Sequence, residues 1–255
     1  MLFREKEESV DTGLKGKTVL ITGASRNMGR LAALAYAREG ANLAICTSAK
    51  MKELQEVAQE ARSLGVRVVA ERCDVADDAA VANFVTKTRD ALGSVHVAVN
   101  NAVYRGVARA FLEESDESWL RNVEVNLTGP RNICRAVLPL MVKQRWGRII
   151  NFSGIAPFLG VGVSKAMAKL GIVGLTRGVA REFAEYEITA NCIGPGTIDV
   201  ERDAFQESRP LRPAQPIRRL GKPEEVVSLM VYLASEDAGF ITGQCYLVNG
   251  GMYFH

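Results

Sequence analysis

The chain has 255 residues, 47% of them hydrophobic and 24% charged, which fits a globular α/β fold with a full core. Its 32 basic and 29 acidic residues give a net charge of +3, and no basic run is interleaved with aromatics, which argues against nucleic-acid binding. With only two histidines (His96 and His255) and five cysteines (Cys46, Cys73, Cys134, Cys192 and Cys245) that form no CxxC pair, a metal site is not expected.

In chain order, residues 1–13 read as a polar leader of alternating charge, not as a signal peptide. Beyond them, apolar runs of strand length alternate with longer helical patterns. Strands are predicted over residues 17–22, 42–46, 67–72, 95–100, 148–152, 189–193 and 245–248. Helices are predicted over 28–39, 51–64, 79–92, 117–144, 163–184 and 223–233. Seven strands joined by helical crossovers predict one doubly wound, Rossmann-type α/β domain spanning residues 1–255. Its seven-stranded parallel sheet would carry helices on both faces. Residues 201–222 contain Pro210, Pro213 and Pro216 and read as a substrate-side flap over the sheet's carboxyl edge. No apolar run is long enough to span a bilayer, and reduced core thiols suit the cytoplasm, so a cytoplasmic protein without membrane partners is expected.

The first predicted strand runs into TGASRNMGR, residues 22–30. Gly23 permits a sharp turn, Gly29 permits close packing of the next helix, and the helix start offers N–H groups to a phosphate. Further along come CDVAD with Asp74 and Val75, NNAV with Asn100, Asn101 and Ala102, VNLTG with Asn126, GPG at 194–196 and LVNGG near the end. In this order the motifs resemble the short-chain dehydrogenase/reductase family, from about Leu14 to Gly251.

The resemblance implies oxidoreductase chemistry with a nicotinamide dinucleotide. It implies cofactor contacts from Gly23, Ser25, Arg26, Met28, Asp74, Val75, Asn100, Ala102, Lys165, Pro195, Gly196 and Ile198. Asn27 replaces the middle glycine of the family turn TGxxxGxG, and asparagine tolerates a left-handed φ. Thr47 ends the second strand where NAD-selecting members carry an acid, and Arg26 stands where a basic residue pairs with a 2′-phosphate. Ser25, Thr47 and Ser48 offer further hydroxyls. NADP is therefore expected over NAD, with a plain solvated role for Arg26, or no bound dinucleotide, as the alternative.

At the chemical end the family uses a Ser, a Tyr and a Lys one helical turn after the Tyr, beside an active-site Asn. The expectation sets Asn126 and Lys165 as remnants of that set, with Gly154 and Val161 occupying the Ser and Tyr positions. On that register 154 and 161 are seven apart, whereas the family Ser precedes its Tyr by roughly a dozen residues. Val103 and Val200 also replace the usual Gly and Thr. The enoyl-thioester reductase spacing would put the Tyr at Phe158, which also lacks a hydroxyl. Tyr104 is a candidate substitute donor.

Two readings follow. One is a degenerate, non-catalytic or weakly catalytic subunit that assembles with itself or an active homologue. The other is an NADP-dependent carbonyl or enoyl-thioester reductase with a non-standard proton donor, with an acyl-CoA among its candidate ligands. The resemblance implies a dimer or tetramer, homomeric or heteromeric. The small residues Ala166, Ala168, Gly171, Gly174 and Gly178 suit close helix packing. Arg202, Arg209, Arg212, Arg218, Arg219 and Lys222 form a basic group in the flap that suits phosphates or an acidic partner.

Overall fold

The computed structural model describes residues 11–106, 109–201 and 215–254. Most of the expected flap, and with it Arg202, Arg209 and Arg212, lies outside the described residues, as do residues 1–10 of the expected leader.

Strands β1 (Thr18–Thr22), β2 (Asn42–Thr47), β3 (Val68–Arg72), β4 (Val97–Asn100), β5 (Gly147–Phe152), β6 (Ile188–Pro195) and β7 (Cys245–Val248) form one sheet in the order β3-β2-β1-β4-β5-β6-β7. All its pairings are parallel. The fold is Rossmann-like. Helices α1 (Asn27–Arg38), α2 (Met51–Ser63) and α8 (Pro223–Ala234) cover one face. Helices α3 (Asp78–Leu92), α5 (Gly129–Gln144) and α7 (Val163–Phe183) cover the other.

Alternation along the strands produces the two cores. Val19 and Ile21 of β1 point to the first face with Leu43, Ile45, Leu54 and Met230. Leu20 points to the second with Phe84, Ile133 and Met141. With both faces covered, the central strands are apolar throughout, so they read as continuous runs in the sequence. The fully buried Tyr36 ties α1 to α8 by donating its hydroxyl to Met230 O at 2.9 Å.

The expected single helix over 117–144 is instead two helices, α4 (Asp116–Val123) and α5, joined by a π-helical turn at Glu124–Thr128. Polar bonding holds this wider turn. The Asn126 amide donates to Tyr104 O at 2.8 Å and to the Asn122 side chain, while its Oδ1 accepts from Tyr104 N at 3.1 Å. Pro130, which has no N–H to donate, sits in the first turn of α5. A short helix, α6 (Ala156–Leu159), also appears where the sequence reads as loop.

A buried polar chain joins β4, β5 and α7. Asn100 Nδ2 donates to Asn151 Oδ1 at 2.8 Å, Asn151 Nδ2 to Thr176 Oγ1 at 2.9 Å, and Thr176 Oγ1 to Ile172 O at 2.7 Å. Replacing Asn151 by Ala leaves the buried Asn100 amide with only the weak Cys134 Sγ contact at 3.8 Å. An Asn151→Ala chain should lose about 1–3 kcal/mol of stability, read as a lower urea midpoint at unchanged slope.

Candidate active site

The strand order reverses between β1 and β4, so the loops leaving these strands diverge and open a crevice at the carboxyl edge. The two exits are clamped together. Asn101 Nδ2 donates to Thr22 O at 2.9 Å and Gly23 O at 3.0 Å, and Ala102 N donates to Thr22 Oγ1 at 3.0 Å. Two glycines make the approach possible. Gly23 has φ +65°, and a Cβ there would lie 2.9 Å from Ala102 Cα. A Cβ on Gly29 would collide with Gly23 O and lie 2.6 Å from Asn101 Nδ2.

Asn27 adopts the left-handed φ of +52° expected of a residue in the middle-glycine position. Its side chain turns away to donate to Glu201 O at 3.2 Å. Helix α1 begins there without a capping side chain and without an acid in its first turn. Its first N–H groups therefore suit an anion, and the turn fits the pyrophosphate of a dinucleotide. Ser25 Oγ and Thr47 Oγ1 lie 3.5 Å apart at the adjoining edge, both buried. Arg26 precedes α1, and Met28 packs partly buried on the first core.

On the far side of the crevice, Asp74 Oδ1 accepts from Ala76 N at 3.0 Å. Its Oδ2 pairs with Arg121 of α4, which raises the guanidinium pKa further. This half-exposed ion pair spans 47 positions, and nothing local in the sequence signals it. Val75 is buried, close to Gly129. Asn100 belongs to the buried chain under the site, with its Oδ1 left unpartnered. Gly196 packs where a Cβ would come within 2.8 Å of Asn249 Cα, beside Pro195 at the end of β6. Ile198 is buried and bridges to Gly221.

The exit of β5 meets the start of α7. Ser153 is buried and bonds to Gly154 O at 3.2 Å and Cys245 Sγ at 3.4 Å. Gly154 has φ +86° with open space where a Cβ would go. A serine in this backbone conformation would be strained.

The expected pairing of Val161 with Lys165 on one helix face does not form. Gly160 and Gly162 have φ of +62° and +71°, so α7 starts only at Val163. Val161 lies in the preceding turn, 47% exposed, with its N–H donated back to Ala156 O at 3.1 Å. The lysine that enters the fold is Lys169, one helical turn after Lys165. It is 7% exposed and donates Nζ to Phe152 O, at the end of β5, at 2.9 Å. Burial, and then the charge of Lys165, hold its pKa down at about 8. Lys165 itself is half-buried.

Asn126 is fully buried with its side chain bonded to Tyr104 and Asn122 in the π turn, so it braces the site wall. Tyr104 packs its ring against the second core. Phe158 belongs to α6, its ring 5.6 Å from that of Tyr253. Tyr253 also lines a cleft of about 450 Å³ with Thr197, Leu247, Asn249 and Gln215.

A family model described as Enoyl-(Acyl carrier protein) reductase matches residues 23–253. The chain belongs to the short-chain dehydrogenase/reductase family. It is 36% identical over 247 residues to the 3-oxoacyl-[acyl-carrier-protein] reductase FabG of Pseudomonas aeruginosa, an alignment covering 94% of this chain and 98% of the relative. It is 34% identical over 244 residues to the (2S)-[(R)-hydroxy(phenyl)methyl]succinyl-CoA dehydrogenase subunit BbsD of Thauera aromatica, covering 94% and 97%. A solved short-chain type dehydrogenase/reductase from Mycobacterium marinum superposes with a TM-score of 0.85 at 32% identity, covering 95% of this chain and 97% of that one.

Sequence reasoning did not single out Lys169 or Arg121. Lys169 had a usable signal: it is a charged residue on the apolar face of α7, four positions after Lys165.

The depressed Lys169 pKa has a signed consequence. Below about pH 8 the lysine is charged in both folded and unfolded chains, and the folded state carries the full burial cost. Between about 8 and 10.5 the unfolded chain alone binds the proton, so stability climbs with pH. Relative to a Lys169→Met variant, the natural chain should gain up to roughly 3 kcal/mol over this window in urea titrations. Parallel pH profiles would contradict the burial of its charge.

Proposed function

We propose that this family member is an NADPH-dependent reductase of acyl thioesters, of the 3-oxoacyl or 2-enoyl class. The observation that carries the reading is the phosphate turn. Asn27 has taken the left-handed conformation, Gly23 and Gly29 keep the close approach of both loops, and α1 begins uncapped. The comparisons favour this reading over a non-catalytic subunit, since both relatives described above are named for thioester substrates.

A bound reduced nicotinamide supplies a hydride. The chain's own residues hold and orient. The first turn of α1 would hold the pyrophosphate, and Arg26 with Ser25 and Thr47 would meet a 2′-phosphate, since β2 ends on Thr47 without a carboxylate. At the flap base, Arg219 makes two bonds to Glu225, and Arg218 and Lys222 are further described basic residues that would stand near a thioester's phosphates.

Leu120, Met167 and Leu170 are exposed on α4 and α7, and Gly174 and Gly178 face open space. This surface supports assembly with a second copy or a homologous subunit. A heteromeric, non-catalytic role is the second reading, favoured by the missing hydroxyl at Gly154.

Fluorescence titration and turnover of the purified chain separate the two. The expected result is tighter binding of NADPH than NADH, with measurable reduction of 3-oxoacyl or 2-enoyl thioesters by the chain alone. Arg26→Ala should weaken NADPH about tenfold, near 1.4 kcal/mol, and leave NADH unchanged. No NADPH binding, or turnover only after a second homologous chain is added, would overturn the reductase reading.

A further inference from the structure

Helix α7 brings two lysines, not one, to the mouth of the site. Lys165 and Lys169 lie one turn apart on the same face, in the first turns of the helix. Lys169 is the inner one, fixed to the Phe152 carbonyl at the end of β5. Lys165 is the outer one, half-buried, its Cβ 3.7 Å from where a Cβ on Gly162 would stand. Side chains on a helix lean toward its N-terminus, so Lys165 leans toward the loop that leaves β5. Positions 154 and 165 are eleven apart, close to the spacing of roughly a dozen that the family keeps between its Ser and its proton donor. Position 161, only seven from 154, is outside the helix.

We propose that Lys165 is the proton donor of this site, its ammonium standing where relatives present a phenol, with Lys169 behind it as a positioning residue. The proposal rests on the reductase reading. In the reduction of a 3-oxo group, a bound reduced nicotinamide would supply the hydride of the new C–H bond. The π pair of the C=O bond moves to oxygen, and that oxygen takes a proton from Lys165 Nζ. Lys165 is left as a neutral amine and is recharged from solvent.

The electrostatics suit this role. The positive charge of Lys165 reaches Lys169 and, after burial, helps hold the Lys169 pKa down. The groups facing Lys169 are the Phe152 carbonyl on β5, Cys192 on β6 and Lys165 on α7, with Ser153 and Cys245 beyond. Next to Lys165 in sequence, Ser164 donates to Glu114 at 2.7 Å, which fixes the first turn of α7 against the segment that leads into α4. The same geometry explains why Val161 carries no chemistry: it does not face the site from the helix.

The test uses the full chain with Lys165→Met and Lys165→Tyr, and with Tyr104→Phe and Tyr253→Phe as rival donors. The readouts are NADPH affinity, 3-oxoacyl thioester turnover against pH, and titration of lysines carrying a ¹³C label at Cε. Lys165→Met should lower turnover by on the order of 10²–10⁴ at saturating NADPH. It should also move the Lys169 titration up, because a neighbouring positive charge is gone. Lys165→Tyr should recover activity and shift the alkaline limb of the pH profile.

If the natural chain turns over and Lys165→Met keeps that rate, the proposal fails while the reductase reading stands. The proposal is also overturned if Tyr104→Phe or Tyr253→Phe abolishes turnover, or if the Lys169 titration ignores Lys165→Met. If the natural chain is inactive and Lys165→Tyr is active, the donor proposal and the reductase reading both fall, and the register alone survives. Inactivity of both overturns all three.

Discussion

The bond from Lys169 Nζ to Phe152 O organises the candidate-site end of the molecule. A buried ammonium is costly unless its protons are hydrogen-bonded, so the lysine must reach a strong acceptor as α7 docks. The carbonyl at the end of β5 is that acceptor. Their union fixes the axial position of α7 against the sheet. It thereby decides which residue of the first turn stands at the mouth, where the β5 exit and the π turn between α4 and α5 converge. Ile172, Val173, Cys192 and Cys245 close the apolar packing beneath it.

The same constraint explains what was legible in the sequence. All seven strands and the phosphate turn could be read, because strands buried on both faces are continuous apolar runs and the turn is a local steric requirement at Gly23 and Gly29. The conformation of Asn27 followed from the same local argument. The register of α7 did not. Two glycines with positive φ, at 160 and 162, hold back the start of the helix, so a lysine pair looked like one lysine paired with a valine. The burial that distinguishes Lys169 from Lys165 depends on the end of β5, seventeen positions away. The Asp74–Arg121 pair and the π turn held by Asn126 arise from tertiary bonds between segments far apart in sequence, and local pattern cannot carry such information.

Membership of the short-chain dehydrogenase/reductase family settles the fold and the general class of chemistry, but not how this member performs it. The departures from the family pattern form one set. Gly154 has a backbone conformation hostile to a serine, and Val161 lies outside the helix. In the same region an extra lysine stands one turn before the buried one. A site that had merely decayed would not need to keep a desolvated charge in its floor, since replacing it with an apolar side chain would relieve the cost. The retained charge and its partner are coherent with a site whose proton chemistry runs through amines.

The most direct measurement is a crystal structure of the chain with NADPH and a non-reactive 3-oxoacyl thioester analogue. The account predicts Lys165 Nζ within about 3 Å of the 3-oxo oxygen, with Lys169 still bonded to the Phe152 carbonyl. A ligand oxygen held instead by Tyr104, Tyr253 or Ser153, with Lys165 turned to solvent, would contradict it.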